Sequence, residues 1–249
     1  MNKRSGQKRT NRKDNSLSAS SESNQEQFNK KEVTNLIQFN QPFKCRNKVQ
    51  KELINLINEK DIVIAAGPAG TGKSFSTIAR ALELIKNPST PYTKLIIVKP
   101  AVTIDEEHGF IKGTLREKLE PHIASTLDVL DKLIGDFNRV QLEALGYIKI
   151  EALAFLRGKS IDNSILVMEE AQNMTHKQMK TLLTRLGEDS KFIISGDLDQ
   201  SDLYDDITKS GLYDAMKRHR NIEEFGFIEF TEDDIVRHPI ISKILANYK

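Results

Sequence analysis

The residues Gly67-Pro68-Ala69-Gly70-Thr71-Gly72-Lys73-Ser74 follow the apolar run Ile62-Val63-Ile64-Ala65-Ala66 and stand where a helical pattern begins. Strand, G-x-x-x-x-G-K-S, then helix is the pattern of a phosphate-binding loop. Glycines let backbone N–H groups turn inward around phosphates, and the helix start adds the positive end of its dipole. Lys73 is placed to reach the β- and γ-phosphates as a point charge, and the Ser74 hydroxyl to hold Mg²⁺. The expected ligand is ATP or GTP.

Such a loop needs an acid for the metal and a base for the attacking water. Ile165-Leu166-Val167-Met168 is an apolar run ending in Glu169 and Glu170. On a strand beside the loop, Glu169 is expected to hold Mg²⁺ and Glu170 to orient water. The more usual first acid is Asp, and the extra methylene of Glu169 is expected to slow turnover. A second buried run ends in Ser195-Gly196-Asp197-Leu198-Asp199-Gln200. There Gln200 can hydrogen-bond a γ-phosphate or the lytic water, unless the segment is a turn without chemistry.

The elements that must position these groups follow from periodicity. Val49, Leu53, Ile54 and Ile57 share one face of a helix over Lys48–Asn58, and Ser74–Ile85 continues as a helix. Leu95–Val98 reads as a buried strand, and 101–114 as a polar loop. Helices are expected over about 115–134, 137–145, Thr175–Leu186 and His238–Tyr248. Short strands are expected near 147–150, at Ile165–Met168 and Phe192–Ile194, and late at Phe227–Phe230. Buried strands alternating with helices predict an α/β fold, a parallel sheet with helices on both faces and the ligand at the strand carboxyl ends.

Further motifs occur in order along the chain. Glu169-Glu170-Ala171-Gln172-Asn173 and Gly196-Asp197-Leu198-Asp199-Gln200 resemble the D-E-A-Q-N and G-D-x-x-Q pair of the PhoH-like ATPases, relatives of superfamily-1 helicases. Val98-Lys99-Pro100-Ala101-Val102 is similar to that family's R-P-A-V segment, and Glu106 to Gly113 to its G-E-x-L-G-F-L-P-G loop. Ala154-Phe155-Leu156-Arg157-Gly158-Lys159 resembles A-F-M-R-G-R, and Asp234-Ile235-Val236-Arg237-His238-Pro239 resembles D-V-V-R-H-P. The resemblance runs from about residue 40 to the end and is to the compact form carried by bacteriophages. It implies a P-loop NTPase with a RecA-like sheet, ATP with Mg²⁺, a homo-oligomer (a hexameric ring) and action on RNA or single-stranded nucleic acid. It further implies that Gln50 reads the adenine, unless it is a helix-surface residue, and that Arg237 is an arginine finger or sensor. Arg157 and Arg185 are alternative fingers or structural ion-pair partners. An alternative to the ATPase is a nucleotide-gated regulatory module with little turnover.

Composition narrows the remaining classes. The chain has 249 residues and a formal charge of +2. Its longest apolar runs are about five residues, against roughly twenty for a membrane span. A lone Cys45 and scattered histidines offer no disulfide and no metal-ligand spacing. Residues 1–31 carry eight basic and three acidic side chains, and the segment is rich in Ser, Asn and Gln. Residues 1–35 are therefore expected as a disordered basic tail, either a solvated terminus or an arm for phosphate backbones, with 36–249 as the ATPase domain. No secretory signal pattern is present, and a cytoplasmic protein is expected, in the host cytoplasm if phage-encoded. The length leaves no room for the separate RNA-binding or ribonuclease domain of some relatives, so nuclease activity is not expected.

Overall fold

The computed structural model of the chain describes residues 30–31, 33–100, 115–201 and 206–236, with the backbone alone over 115–122. The strands are β1 (Ile62–Ala66), β2 (Lys94–Lys99), β3 (Ile148–Ala152), β4 (Ser164–Met168), β5 (Lys191–Gly196) and β6 (Phe225–Glu229). They form one sheet in the order β3-β2-β4-β5-β1-β6, parallel at every pairing. The helices are α1 (Lys48–Glu59), α2 (Lys73–Lys86), α3 (Leu115–Ile134), α4 (Asp136–Ala144), α5 (His176–Leu183) and α6 (Gly211–Arg218).

Why both faces are covered is visible in the strands themselves. Every residue of β1, β4 and β5 is buried, as a parallel sheet clad on two sides requires. The period of two then sorts the side chains. Val63, Ala65, Ile165, Val167 and Ile193 join the core under α1, α2 and α3, whereas Ile62, Ile64, Leu166, Met168, Phe192 and Ile194 join the core under α5 and α6. The register aligns Ile64 with Ile194 and Ala66 with Gly196, so the carboxyl ends of β1 and β5 lie level.

Caps set several helix starts. The Asn47 side chain accepts the Gln50 N–H at the head of α1. Thr175 and Gln178 form a reciprocal capping box on α5, and the Ser210 hydroxyl caps α6. The folded unit also reaches further back than residue 36. Val33 and Ile37 are buried in the first core, and the Lys30 ammonium donates to the Ile85 carbonyl at 2.8 Å and to the Tyr92 carbonyl. Two apolar residues one helical turn apart, Val33 and Ile37, draw this stretch onto the domain. The expected helix His238–Tyr248 and the loop 101–114 lie outside the described residues.

Candidate functional site

The chain leaves β1 through Gly67 at φ 135°, whose N–H donates to the Gly196 carbonyl at 3.1 Å. A Cβ at Gly67 would lie 2.3 Å from the Phe230 carbonyl oxygen, so only glycine fits between β1 and the end of β6. Gly70 and Gly72 follow at φ 86° and 81°, and α2 begins at Lys73. Among the described residues, the N–H groups of Gly70, Gly72, Lys73 and Ser74 have no hydrogen-bond acceptor. Four donors at the head of a helix, with no protein acceptor, suit the terminal phosphates of a nucleotide.

Lys73 is the loop's one side-chain cation and is 9% exposed. Its ammonium donates to the Gly67 and Pro68 carbonyls at 2.6 and 2.7 Å. Burial pulls its pKa down from 10.5 to about 8, against the opposing pull of Asp197 and then Glu170. The loop is held on its other side by Gln50, which is buried. The Gln50 amide donates to the Thr71 carbonyl at 2.8 Å, and its oxygen accepts the Arg46 N–H at 2.7 Å. The helix-surface reading of Gln50 is thereby excluded; one amide N–H and one oxygen lone pair remain beyond these bonds. Val236 closes the same region, its N–H donating to the Gly70 carbonyl at 3.0 Å.

The acids arrive differently from the sequence expectation. Strand β4 does not lie beside β1, because β5 is inserted between them. The extra strand brings Asp197, which the motif reading did not single out, directly onto the loop. Asp197 is buried; one carboxylate oxygen accepts the Ala69 N–H at 3.1 Å and the other the Asp199 N–H at 3.2 Å. An acid ending a buried strand was the available signal, but sequence alone did not place that strand next to β1.

At the end of β4, Glu169 is buried. Its Oε2 accepts the Thr126 hydroxyl at 2.5 Å and lies 3.6 Å from the Lys99 ammonium. Glu170 takes a left-handed φ of 55°, which turns its carboxylate outward; backbone strain of this sort concentrates at functional sites. Gln172, fully enclosed, joins the two acid-bearing turns. Its amide donates to Glu170 Oε2 at 2.7 Å and reaches the Gln200 carbonyl at 3.4 Å, and its oxygen accepts the Asp197 N–H at 3.0 Å. The Gln200 side chain itself is exposed.

Other candidates stand apart. Arg157 is exposed, and Arg185 donates to the Lys159 carbonyl and the Thr184 hydroxyl at 3.4 and 3.2 Å; neither bonds to the phosphate loop. Arg237 lies outside the described residues. A cavity of about 690 Å³ opens beside the loop, with Gly67, Asp197, Tyr213, Arg220 and Phe230 in its walls. A groove of similar size, about 710 Å³, lies at the amino ends of β2 and β4, away from these groups. No described helix is long and apolar enough to cross a membrane.

The parallel sheet, the glycine loop feeding α2 and the acids at the ends of β4 and β5 together define a P-loop NTPase fold. Residues 42–249 match the family model described as PhoH-like protein, and the chain belongs to the PhoH-like protein family. It is 39% identical over 199 residues to the PhoH-like protein of Bacillus subtilis (strain 168), covering 80% of this chain and 61% of that relative. Against the protein PhoH of Escherichia coli (strain K12) it is 34% identical over 209 residues, covering 83% and 58%. The chain thus spans about three fifths of the length of these relatives. Among solved structures, the large terminase of a thermophilic bacteriophage aligns at TM-score 0.48 and 12% identity, covering 83% of this chain and 50% of that one. The Pif1 helicase of Candida albicans aligns at TM-score 0.37 and 12% identity, covering 76% and 40%.

Proposed function

We propose that the chain is an Mg²⁺-dependent ATPase that couples hydrolysis to conformational change in a homo-oligomeric ring and acts on RNA or single-stranded nucleic acid. The observation that carries this reading is the chain of bonds Ala69–Asp197–Gln172–Glu170. It joins the loop that would hold phosphate to an outward-facing carboxylate of the kind that activates water. Lys73 and the loop amides bind the β- and γ-phosphates, and Glu170 accepts the proton of the attacking water. Gln172 fixes the Glu170 carboxylate, and Gln200 senses whether the γ-phosphate is present. Ser74 and Glu169 would hold Mg²⁺, which would supply positive charge beside the phosphates. The Ser74 hydroxyl suits the role, having no hydrogen-bond partner among the described residues. Arg237 completes the site as finger, supported by the bond of the preceding Val236 to the loop. The basic excess of residues 1–31 supports a polyanionic partner.

A second reading is favoured by one observation. The Glu169 carboxylate is engaged by Lys99 and Thr126, which suits a nucleotide-gated module that binds ATP and hydrolyses little. Phosphate release separates the two. Steady turnover that Glu170→Gln abolishes without loss of ATP binding establishes the ATPase. Tight binding with no turnover in the unaltered chain establishes the switch.

A further inference from the structure

Of the seven arginines whose side chains are described, Arg80, Arg139 and Arg218 sit 2.8, 2.5 and 2.6 Å from carboxylates. Two of the other four, Arg157 and Arg185, share one region. Leu153 and Leu156 pack with Met179 and Leu182 of α5 in the second core, which sets the segment after β3 against that helix. On this surface Arg157, Lys159 and Lys180 are exposed and Arg185 half-buried. Among the described residues, none of the four has a carboxylate partner. They are neighbours: Arg185 donates to the Lys159 carbonyl and to Thr184, which bonds back to the Lys180 carbonyl. The adjoining Asp162 carboxylate is engaged by the Ser160 hydroxyl and the Glu188 N–H.

An aromatic ring lies in the same segment as Arg157 and Lys159. Phe155 is 46% exposed, and beyond it Gly158 leaves open space, with nothing within 4 Å of where a Cβ would be. Phe155 and Lys159 border a groove of about 400 Å³ along the edge strand β3, with Ile150 and Ala152 in its floor and Ile123 and Leu127 of α3 in its wall. Glu143 and Glu151 also border it, the first paired with Arg139.

We infer that this surface binds single-stranded nucleic acid, with phosphates on Arg157, Lys159, Lys180 and Arg185 and a base against Phe155. Unpaired cations follow a phosphate backbone, and an exposed ring offers every base a stacking face. An acidic peptide would use the cations but not the ring. The inference rests on the nucleic-acid reading above and gives it a location distinct from the basic residues 1–31. It also supplies a route to the nucleotide. The groove wall residues Ile123 and Leu127 flank Thr126, whose hydroxyl holds Glu169, so a strand seated there bears on the helix that positions the acid.

The test is binding of a labelled oligouridylate to the full chain across a salt titration, for the unaltered chain, Lys159→Glu and Phe155→Ala. Both positions are exposed, and melting temperatures verify that each variant folds. Lys159→Glu should weaken binding about tenfold and lower the slope of log affinity against log salt by about one. Phe155→Ala should weaken it about tenfold with the slope unchanged. Binding by the unaltered chain that neither variant alters overturns this location and leaves the nucleic-acid reading standing. No binding by the unaltered chain overturns both. Displacement of the oligouridylate by polyglutamate as effective as displacement by unlabelled oligouridylate overturns the stacking role and identifies an acidic polypeptide.

Discussion

Lys73 shows how much of the site's chemistry resides in single side chains. Its pKa near 8 is set mainly by burial, and only the protonated amine attracts phosphate. The contribution of Lys73 to ATP affinity is therefore full below about pH 8 and falls as pH rises through it, approaching tenfold per pH unit. Bound phosphates favour the charged form, so above pH 8 binding takes up a proton, and calorimetry in buffers of different ionisation enthalpy measures it. Asp197 opposes the desolvation of Lys73, so Asp197→Ala moves the onset of the fall to lower pH. The same substitution unpairs the Ala69 and Asp199 N–H groups, costing about 1–3 kcal/mol of stability. An unchanged pH profile in Asp197→Ala would contradict this coupling. At this scale the glycine loop ahead of a helix was legible, as was the position of Glu169 and Glu170 at the end of a buried strand, because both follow from residue type and spacing. Asp197 was not, since its role depends on which strand lies next to β1. Nor was the clasp of Gln50 on Thr71, a contact between residues far apart in sequence.

Among the elements, close approach of backbone explains the strictest requirements. Gly67→Ala would set a Cβ 2.3 Å from a backbone oxygen at a φ of 135°, and Phe230 cannot withdraw without breaking its bond to the Ala66 carbonyl. A loss of about 2 kcal/mol or more is expected, read from the denaturant midpoint, together with loss of ATP binding. Gly158→Ala, at a φ of 77° but facing open space, should cost about 1 kcal/mol. Equal losses at the two positions would show that the clash at Gly67 is relieved by movement.

Most elements were legible from period and punctuation. The expected helix Lys48–Asn58 is observed as Lys48–Glu59, and Ser74–Ile85 as Lys73–Lys86. The expected Thr175–Leu186 ends early, at Leu183, where the backbone tightens and the Arg185 and Leu186 N–H groups donate three residues back, to the Leu182 and Leu183 carbonyls. Helix α6 was missed: eight residues opening on Gly211 give too short a pattern, and its position depends on the Ser210 cap and the packing of Gly211 against Thr175.

For the whole molecule, the sheet order decides which residues meet the glycine loop. The parallel sheet was expected from alternation alone, whereas the order β3-β2-β4-β5-β1-β6 arises from long-range packing that a pattern of apolar runs does not encode. Placing β5 at the centre makes it the keystone between the loop strand and the acid strand. Phe192 on β5 is fully buried and aligned with Ile62 of β1 and Leu166 of β4. Phe192→Ala should cost about 3–5 kcal/mol, read from the thermal midpoint, and loosen both strands at once. A small loss would mean that the second core can collapse around the gap.

In the proposed ATPase the loop and Glu170 form one hydrolytic unit, joined through Asp197 and Gln172. Mg²⁺-dependent phosphate release from ATP is the decisive measurement, made beside ATP binding in the unaltered chain, Lys73→Ala and Glu170→Gln. Turnover in the unaltered chain, loss of binding and turnover in Lys73→Ala, and retained binding with turnover lost in Glu170→Gln is the predicted result. Turnover that survives in Glu170→Gln would contradict it.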